Sequence, residues 1–260
     1  MNMSVQGRVV AITGGSQGLG LATALAYAKA GADVAILARR ADQLEAAREQ
    51  IAAVAPVKVL PVVCDVSAAA DIERAHAQIQ ATFGRVDVLV NNAGKSQAFG
   101  FEGITDEVWQ SDLDLKLFAA IRLTRLVWPG MKERRWGRVI NVLNTFAKAP
   151  TAGSAPTSVT RAAGMALTKV LAAEGGPHNI LVNAMLVGLI ESEQTRKWHR
   201  ERAPEKPYDV FTAESSGHIP LGRLGRAEEF GATALFLGSE GAGYLTGTAI
   251  NIDGGSCPVV

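Results

Sequence analysis

The residues that could do chemistry begin with a glycine-rich run, Thr13-Gly14-Gly15-Ser16-Gln17-Gly18-Leu19-Gly20. It sits between a short β-branched run, Val9–Ile12, and an Ala-rich helical window, Leu19–Ala30. Glycines at such a junction let the backbone turn tightly and approach a pyrophosphate. The helix that follows offers free N–H groups and the positive end of its dipole. Glycines also serve ordinary turns; it is the place of this run, at the first strand–helix junction of an alternating chain, that makes the Gly-x-x-x-Gly-x-Gly spacing of Gly14, Gly18 and Gly20 informative. A second chemical feature closes the next apolar run, which ends Ala38-Arg39-Arg40 with no acid available. A guanidinium fork there suits a phosphate dianion, or both arginines simply solvate the start of the next helix.

These residues need a scaffold, and the rest of the chain supplies one. Short apolar blocks recur at Val9–Ile12, Asp33–Leu37, Val57–Val63, Val86–Val90, Val139–Leu143, Ile180–Met185 and Thr248–Ile252. They are continuous rather than alternating, as expected of strands covered on both faces. Between them lie helical windows at Leu19–Ala30, Asp42–Val54, Ala69–Phe83, Glu107–Arg134, Ala155–Ala173 and Glu228–Leu237. This repetition predicts an α/β fold, a single-domain doubly wound sheet of seven parallel strands spanning residues 1–260. The main irregular stretch is 188–225, which mixes Trp198, His199, Tyr208 and Phe211 with charges and prolines. It reads equally as an active-site lid or as a surface excursion with a small helix.

Composition narrows the function classes. Lys plus Arg number 26 against 25 Asp plus Glu, a net charge of +1 that argues against a nucleic-acid partner. With 48% hydrophobic and 20% charged residues, the chain is a folded globule. Two cysteines, Cys64 and Cys257, are too few for a disulfide framework or a cysteine-rich metal site, so a reducing cytoplasm is the economical expectation. No secretory leader or membrane span is expected from the sequence, and no metal.

The motifs together make the chain resemble the short-chain dehydrogenase/reductase family, NAD(P)-dependent enzymes built on the Rossmann fold. Thr13–Gly20 resembles the family's cofactor loop. Cys64-Asp65-Val66 resembles its adenine contact, and Asn91-Asn92-Ala93-Gly94 matches its Asn-Asn-Ala-Gly signature. Val182-Asn183-Ala184 through Val187-Gly188 resembles the segment flanking the nicotinamide, with Val187 where proline is usual and Ile190 just beyond. Tyr244-Leu245-Thr246-Gly247 and Asp253-Gly254-Gly255 resemble the family's C-terminal end. The resemblance implies a dinucleotide held by Gly14, Ser16, Gln17, Gly18, Leu19, Gly20, Asp65, Val66, Asn92, Ala93, Gly94, Val187, Gly188 and Ile190. Arg39 and Arg40 favour NADP(H), with NAD(H) left open.

The resemblance fails at the reacting centre. Members place Asn, Ser, Tyr and Lys around the nicotinamide, the phenol giving or taking the substrate proton. Aligned here, Asp114 takes the asparagine place, Asn144 the serine place, Thr157 the tyrosine place and Arg161 the lysine place. Thr157 is a hydrogen-bond donor but no practical acid, and Arg161 cannot give up a proton; it would hold the cofactor ribose or an anion. Asn144 still offers an amide to polarise a carbonyl, and Asp114 would pair with Arg161. On this reading Thr157→Ala costs little. The proton comes from water or the excursion, with Tyr208 ahead of Lys148, His199 and Glu191, although each of these also reads as an ordinary surface residue.

Three functions remain open at this level. One is an NADP(H)-dependent oxidoreductase with an unorthodox site, acting on a small carbonyl or conjugated enone. Another is a non-catalytic dinucleotide-binding subunit or sensor. The third is a non-redox lyase or hydrolase reusing the pocket. The Ala- and Gly-rich windows Glu107–Arg134 and Ala155–Ala173 resemble the helices through which the family associates, which implies a homotetramer or homodimer.

Overall fold

The computed structural model describes residues 3–260. The seven apolar blocks become β1 (Val9–Thr13), β2 (Asp33–Ala38), β3 (Val59–Val63), β4 (Val88–Asn91), β6 (Gly137–Asn144), β8 (Ile180–Val187) and β9 (Ala249–Ile252). They form one sheet in the order β3-β2-β1-β4-β6-β8-β9, parallel at every pairing. Parallel strands bring all their C-terminal ends to one edge, and ligands of such sheets bind outside that edge. Two further strands, β5 (Ala98–Phe99) and β7 (Ala155–Pro156), pair antiparallel beside it. They were not legible as apolar runs because each is two residues long.

Helices cover both faces. On one side α1 (Gly18–Lys29), α2 (Ala41–Val54) and α9 (Ala227–Gly238) pack with Tyr27, Ile51 and Phe230 into the core. On the other, α3 (Ala69–Phe83) and α5 (Ala119–Arg134) bring Ile72, Ile79, Leu123 and Met131 against Leu89 and Val139. The inner strands β1, β4, β6 and β8 therefore bury both faces, as their continuous apolar sequence requires, while the edge strands β3 and β9 are only partly covered.

One window is not one helix. The expected helix Glu107–Arg134 is α4 (Asp106–Leu113), a π-helical turn at Asp114–Phe118, and then α5. The Ala119 N–H reaches back five residues to the Asp114 carbonyl. Such an insertion rotates the side chains around it relative to a regular helix, and π turns are frequent at functional sites. The window at Ala155–Ala173 likewise opens with β7, and α6 runs Thr157–Gly175.

The stretch 188–225 folds into α7 (Glu193–Arg202) and α8 (Tyr208–Ser215). Its two ends are clamped together: the Glu191 N–H donates to the Gly225 carbonyl at 2.9 Å and the Gly225 N–H to the Leu189 carbonyl at 3.0 Å. Cys64 and Cys257 are free thiols. Among the described residues no helix is long and apolar enough to cross a membrane.

A buried polar ladder fixes α6 on the sheet. Asn91 Nδ2 on β4 donates to Asn141 Oδ1 on β6 at 2.9 Å, and Asn141 Nδ2 donates to Thr168 Oγ1 on α6 at 2.9 Å. Thr168 in turn donates to the Gly164 carbonyl. Removing the central amide leaves buried partners unsatisfied. Asn141→Ala is therefore expected to lower the unfolding free energy by about 1–3 kcal/mol, read from the urea midpoint at constant m-value.

Candidate active site

The glycine run turns as its chemistry demands. Gly14 has φ +65°, and a Cβ on Gly20 would stand 2.1 Å from the Gly14 carbonyl oxygen, so a side chain at Gly20 cannot coexist with this turn. No side chain caps the N-terminus of α1, which leaves its N–H groups to another acceptor. Asn92 staples the turn from β4: its Nδ2 donates to the Thr13 carbonyl at 2.9 Å, and Thr13 Oγ1 accepts the N–H groups of Asn92 and Ala93, each at 2.9 Å. Asn92, expected to touch the cofactor, has its amide engaged in shaping the loop that would.

The other expected residues lie along the same strand edge. Arg39 and Arg40 follow β2 and are both exposed; Arg40 Nη2 reaches Gln17 Oε1 at 3.4 Å. Asp65 follows β3, its carboxylate accepting the Ser67 N–H and hydroxyl, while Val66 is buried. Val187, Gly188 and Ile190 follow β8. Beyond β4, a Cβ on Gly94 would fall 2.5 Å from Arg161 Nη2, so the guanidinium lies directly on that backbone.

Around Thr157 the structure assembles a cluster that sequence reasoning reached only in part. Thr157 opens α6 and is held by the β5–β7 ribbon, its N–H donating to the Gln97 carbonyl at 3.2 Å and its Oγ1 accepting the Gln97 N–H at 3.0 Å. The Lys116 ammonium donates to the same Oγ1 at 2.6 Å and pairs with Asp112. Asp112 also accepts the Thr160 hydroxyl at 2.6 Å. Both Lys116 and Asp112 are buried, the lysine only 7% exposed.

The π turn explains the correction at Asp114. Asp114 does not pair with Arg161; its carboxylate takes Gln110 Nε2 at 2.9 Å and Arg122 Nη2 at 3.3 Å. Lys116, two residues on, is the side chain turned toward α6. The signal available in the sequence was a lysine four residues after an aspartate, Asp112 and Lys116, inside the helical window Glu107–Arg134, but the π register that selects it is not written in composition.

Arg161 donates to the Val142 carbonyl, while its buried Nε finds no partner. Burial lowers its pKa to about 10, opposed by Asp112, so it stays charged near neutrality. Asn144, at the end of β6, also has a buried amide oxygen without a partner. Buried polar atoms are rarely left alone unless a ligand or water completes them. With the glycine cradle and the uncapped α1, these orphans fit a dinucleotide, which the α1 N-terminus, Asn144 and Arg161 would hold.

Tyr208 stays apart from this cluster. Its hydroxyl bonds Thr195 Oγ1 at 3.0 Å, and its ring packs with His199 and Phe211. The His199 ring is tied to the Lys206 carbonyl, and Lys148 to Ala249 and Asn251. A cavity of about 390 Å³ opens beside α8, lined by Glu191, Asp209, Ser216, Arg223 and Arg226; none of Asn144, Thr157, Arg161 or Lys116 lines it.

Burial drives the Lys116 pKa down from 10.5 to about 8, with Arg161 and Lys95 adding repulsion and Asp112 opposing. Between those two values the unfolded chain binds the proton that the folded chain has released, so stability rises with pH there. The stability of the wild type relative to Lys116→Met is expected to increase from pH 8 to 10.5, by up to about 3 kcal/mol. Urea unfolding of both proteins across that window measures it.

Comparison with known proteins agrees with this architecture. The family model described as short chain dehydrogenase matches residues 8–203. The acetoacetyl-CoA reductase of Rhizobium meliloti is 35% identical, over 95% of this chain and 98% of its own. L-Sorbose reductase from Gluconobacter frateurii, solved with NADPH and L-sorbose, superposes with a TM-score of 0.94 at 33% identity, covering 100% of both chains. A short-chain oxidoreductase from Pseudomonas aeruginosa, described as containing an atypical catalytic center, also gives 0.94 at 34% identity, over 99% of this chain and 100% of its own. The chain therefore belongs to the short-chain dehydrogenase/reductase family and is an NAD(P)-dependent oxidoreductase.

Proposed function

We propose that this enzyme uses NADP(H) to reduce a small carbonyl or conjugated-enone substrate at a site where Asn144, Thr157 and Arg161 replace the family's serine, tyrosine and lysine. The observation that carries this reading is the pair of buried orphans, Asn144 Oδ1 at the end of β6 and Arg161 Nε one turn into α6, the helix that Thr157 opens. The amide oxygen and nitrogen of Asn144 exchange places by a simple flip, so an N–H is available to polarise a substrate oxygen. Arg161 supplies a fixed positive charge for the ribose or an anionic group. When bound, the nicotinamide supplies the hydride. Asn144 and Thr157 then steady the oxygen on which charge develops, whether the hydride goes to a ketone carbon or to the far carbon of an enone. Two relatives support the substrate class, one a reductase of a β-ketoacyl thioester and the other of a keto sugar. The solved relative with an atypical catalytic center supports an unorthodox site. The excursion at 188–225 is assigned as the lid over the substrate, since it leaves directly from Val187–Ile190 and its ends are clamped.

Arg39 and Arg40, exposed beside the glycine turn with no acid at the strand end, support NADP(H) over NAD(H). Isothermal titration should show NADPH binding at least about tenfold tighter than NADH, with Arg39→Ala removing most of that preference; a charge-assisted hydrogen bond of about 1.5–3 kcal/mol is lost. NADPH oxidation against acetoacetyl-CoA, L-sorbose and a cyclic enone then tests the reaction class. No turnover with any of them would sink it.

Assembly is proposed to be homotetrameric through α5 and α6. Val159 and Val170 of α6 stand 52% and 54% exposed on the isolated chain, an apolar stripe that a second copy would cover. Light scattering at micromolar concentration should give a multiple of 27.3 kDa, and a charge on the stripe, Val170→Glu, should shift the mass downward.

A further inference from the structure

Thr157 raises a question of bookkeeping among hydrogen bonds. A hydroxyl has two acceptor positions and one proton. Thr157 Oγ1 already accepts from the Gln97 N–H at 3.0 Å and from Lys116 Nζ at 2.6 Å. What remains is its own proton, and among the described residues that proton has no acceptor in the chain. A threonine proton is not acidic by itself, but the group behind this one is an ammonium. We infer that the proton delivered to the substrate oxygen starts on Lys116 and passes through the Thr157 hydroxyl, with Asp112 and Thr160 positioning the ammonium. The inference rests on the carbonyl-reductase reading above and names the proton source which that reading leaves unassigned.

The step balances without any further reagent. The substrate carbon gains the hydride and its two electrons, and the C=O π pair moves onto oxygen. The Thr157 O–H bond breaks as the new substrate O–H forms. In the same movement a Lys116 N–H breaks and its proton goes to Thr157 Oγ1. Threonine is regenerated, no free alkoxide accumulates, and Lys116 is left as a neutral amine that solvent recharges. For an enone the same transfer yields the enol.

The surroundings suit a lysine that gives up its proton. Asp112 faces it from α4, Arg161 from α6, and Lys95 from the segment after β4. Asp114, on its own turn, is occupied by Arg122. Burial and the two neighbouring cations favour the neutral amine, Asp112 favours the ammonium, and the balance places the pKa at about 8. A donor poised near neutrality is what general acid catalysis requires. Thr160 matters through Asp112: its 2.6 Å bond keeps one carboxylate oxygen occupied and the other on Lys116.

The first test needs no substrate. In cofactor-free protein labelled with ¹³C-lysine, the Cε signal missing from Lys116→Met should titrate near pH 8. A midpoint above about pH 10, the ordinary lysine value, overturns the inference. The second test uses phenanthrenequinone, an activated diketone, with NADPH across the pH range. Wild-type kcat should be level below about pH 8 and fall about tenfold per unit above it. Lys116→Arg keeps the charge but cannot release the proton, so it should lose the falling limb and about 10²–10⁴-fold in kcat with KM little changed. Thr157→Val should show the same loss while Lys116 still titrates in the NMR experiment, and Thr157→Ser should bring the falling limb back. A falling limb that survives in Lys116→Arg or Thr157→Val, with wild-type turnover intact, overturns the relay alone. Absence of wild-type turnover on every carbonyl probe despite NADPH binding overturns the reductase reading, and the relay with it.

Discussion

A charge taken out of water must be paired, and at the centre of this molecule that constraint falls on Lys116. Desolvation of an ammonium costs several kcal/mol even after relaxation, so the fold must provide compensation at fixed positions. It does so with Asp112 one turn earlier and with the Thr157 hydroxyl across the gap to α6. The ion on the π turn thus draws its partners from two further elements, α4 and α6. The placing of these elements therefore follows from one ion's need for ligands. Asp112 cannot be swung away without leaving Lys116 uncompensated, and α6 cannot shift without withdrawing Thr157.

The sheet delivers the other half of the site by geometry alone. Because all seven strands run parallel, the glycine turn after β1, Arg39 after β2, Asn92–Gly94 after β4, Asn144 at the end of β6 and Gly188 after β8 arrive at one edge. Short polar staples then fix the loops that leave the strands. Thr13 and Asn92 tie the β1 and β4 exits to each other through three hydrogen bonds of 2.9 Å each. Asn91, Asn141 and Thr168 tie β4, β6 and α6 from within. The result is a cradle at whose edge two buried polar atoms, Asn144 Oδ1 and Arg161 Nε, are left for a dinucleotide to complete.

Much of this was legible in the residues. The seven apolar blocks are the seven strands, and the glycine spacing gave the turn, because burial on both faces and positive φ leave direct marks on composition. The reacting centre was only half legible. Asn144 closes β6, Thr157 opens α6 and Arg161 follows one turn later, as the sequence pattern of strand and helix implies. The expected pairing of Asp114 with Arg161 does not form. The π turn moves Asp114 out to Arg122 and brings Lys116 in. Nothing in local propensity marks that inserted residue; it is stable because the buried Lys116–Asp112–Thr157 contacts reward it, and those contacts are tertiary. Tyr208 belongs to the excursion itself. An aromatic in a polar excursion can face the substrate or build the excursion's own small core, and here His199, Phe211 and Thr195 take it for the latter.

The proposed relay also makes sense of the substitutions as a set. A lysine beside a phenol both carries charge and makes the phenol a better acid. If the phenol is replaced by an alcohol, no neighbouring cation can bring the alcohol's pKa into range, so a lysine at position 161 would retain only its charge. Arginine performs that remaining task better, because its fork is planar and keeps its proton even when burial lowers its pKa to about 10. The acid then has to come from a group that does titrate near neutrality. A lysine at 116 is such a group only when buried, and it is tolerated when buried only with a carboxylate such as Asp112 beside it. Arg161 serves that arrangement too, since its fixed charge disfavours the ammonium and helps hold Lys116 near its releasing point. Thr157, Arg161, Lys116 and Asp112 thus behave as one electrostatic unit, in which changing any single member alters what the other three can do.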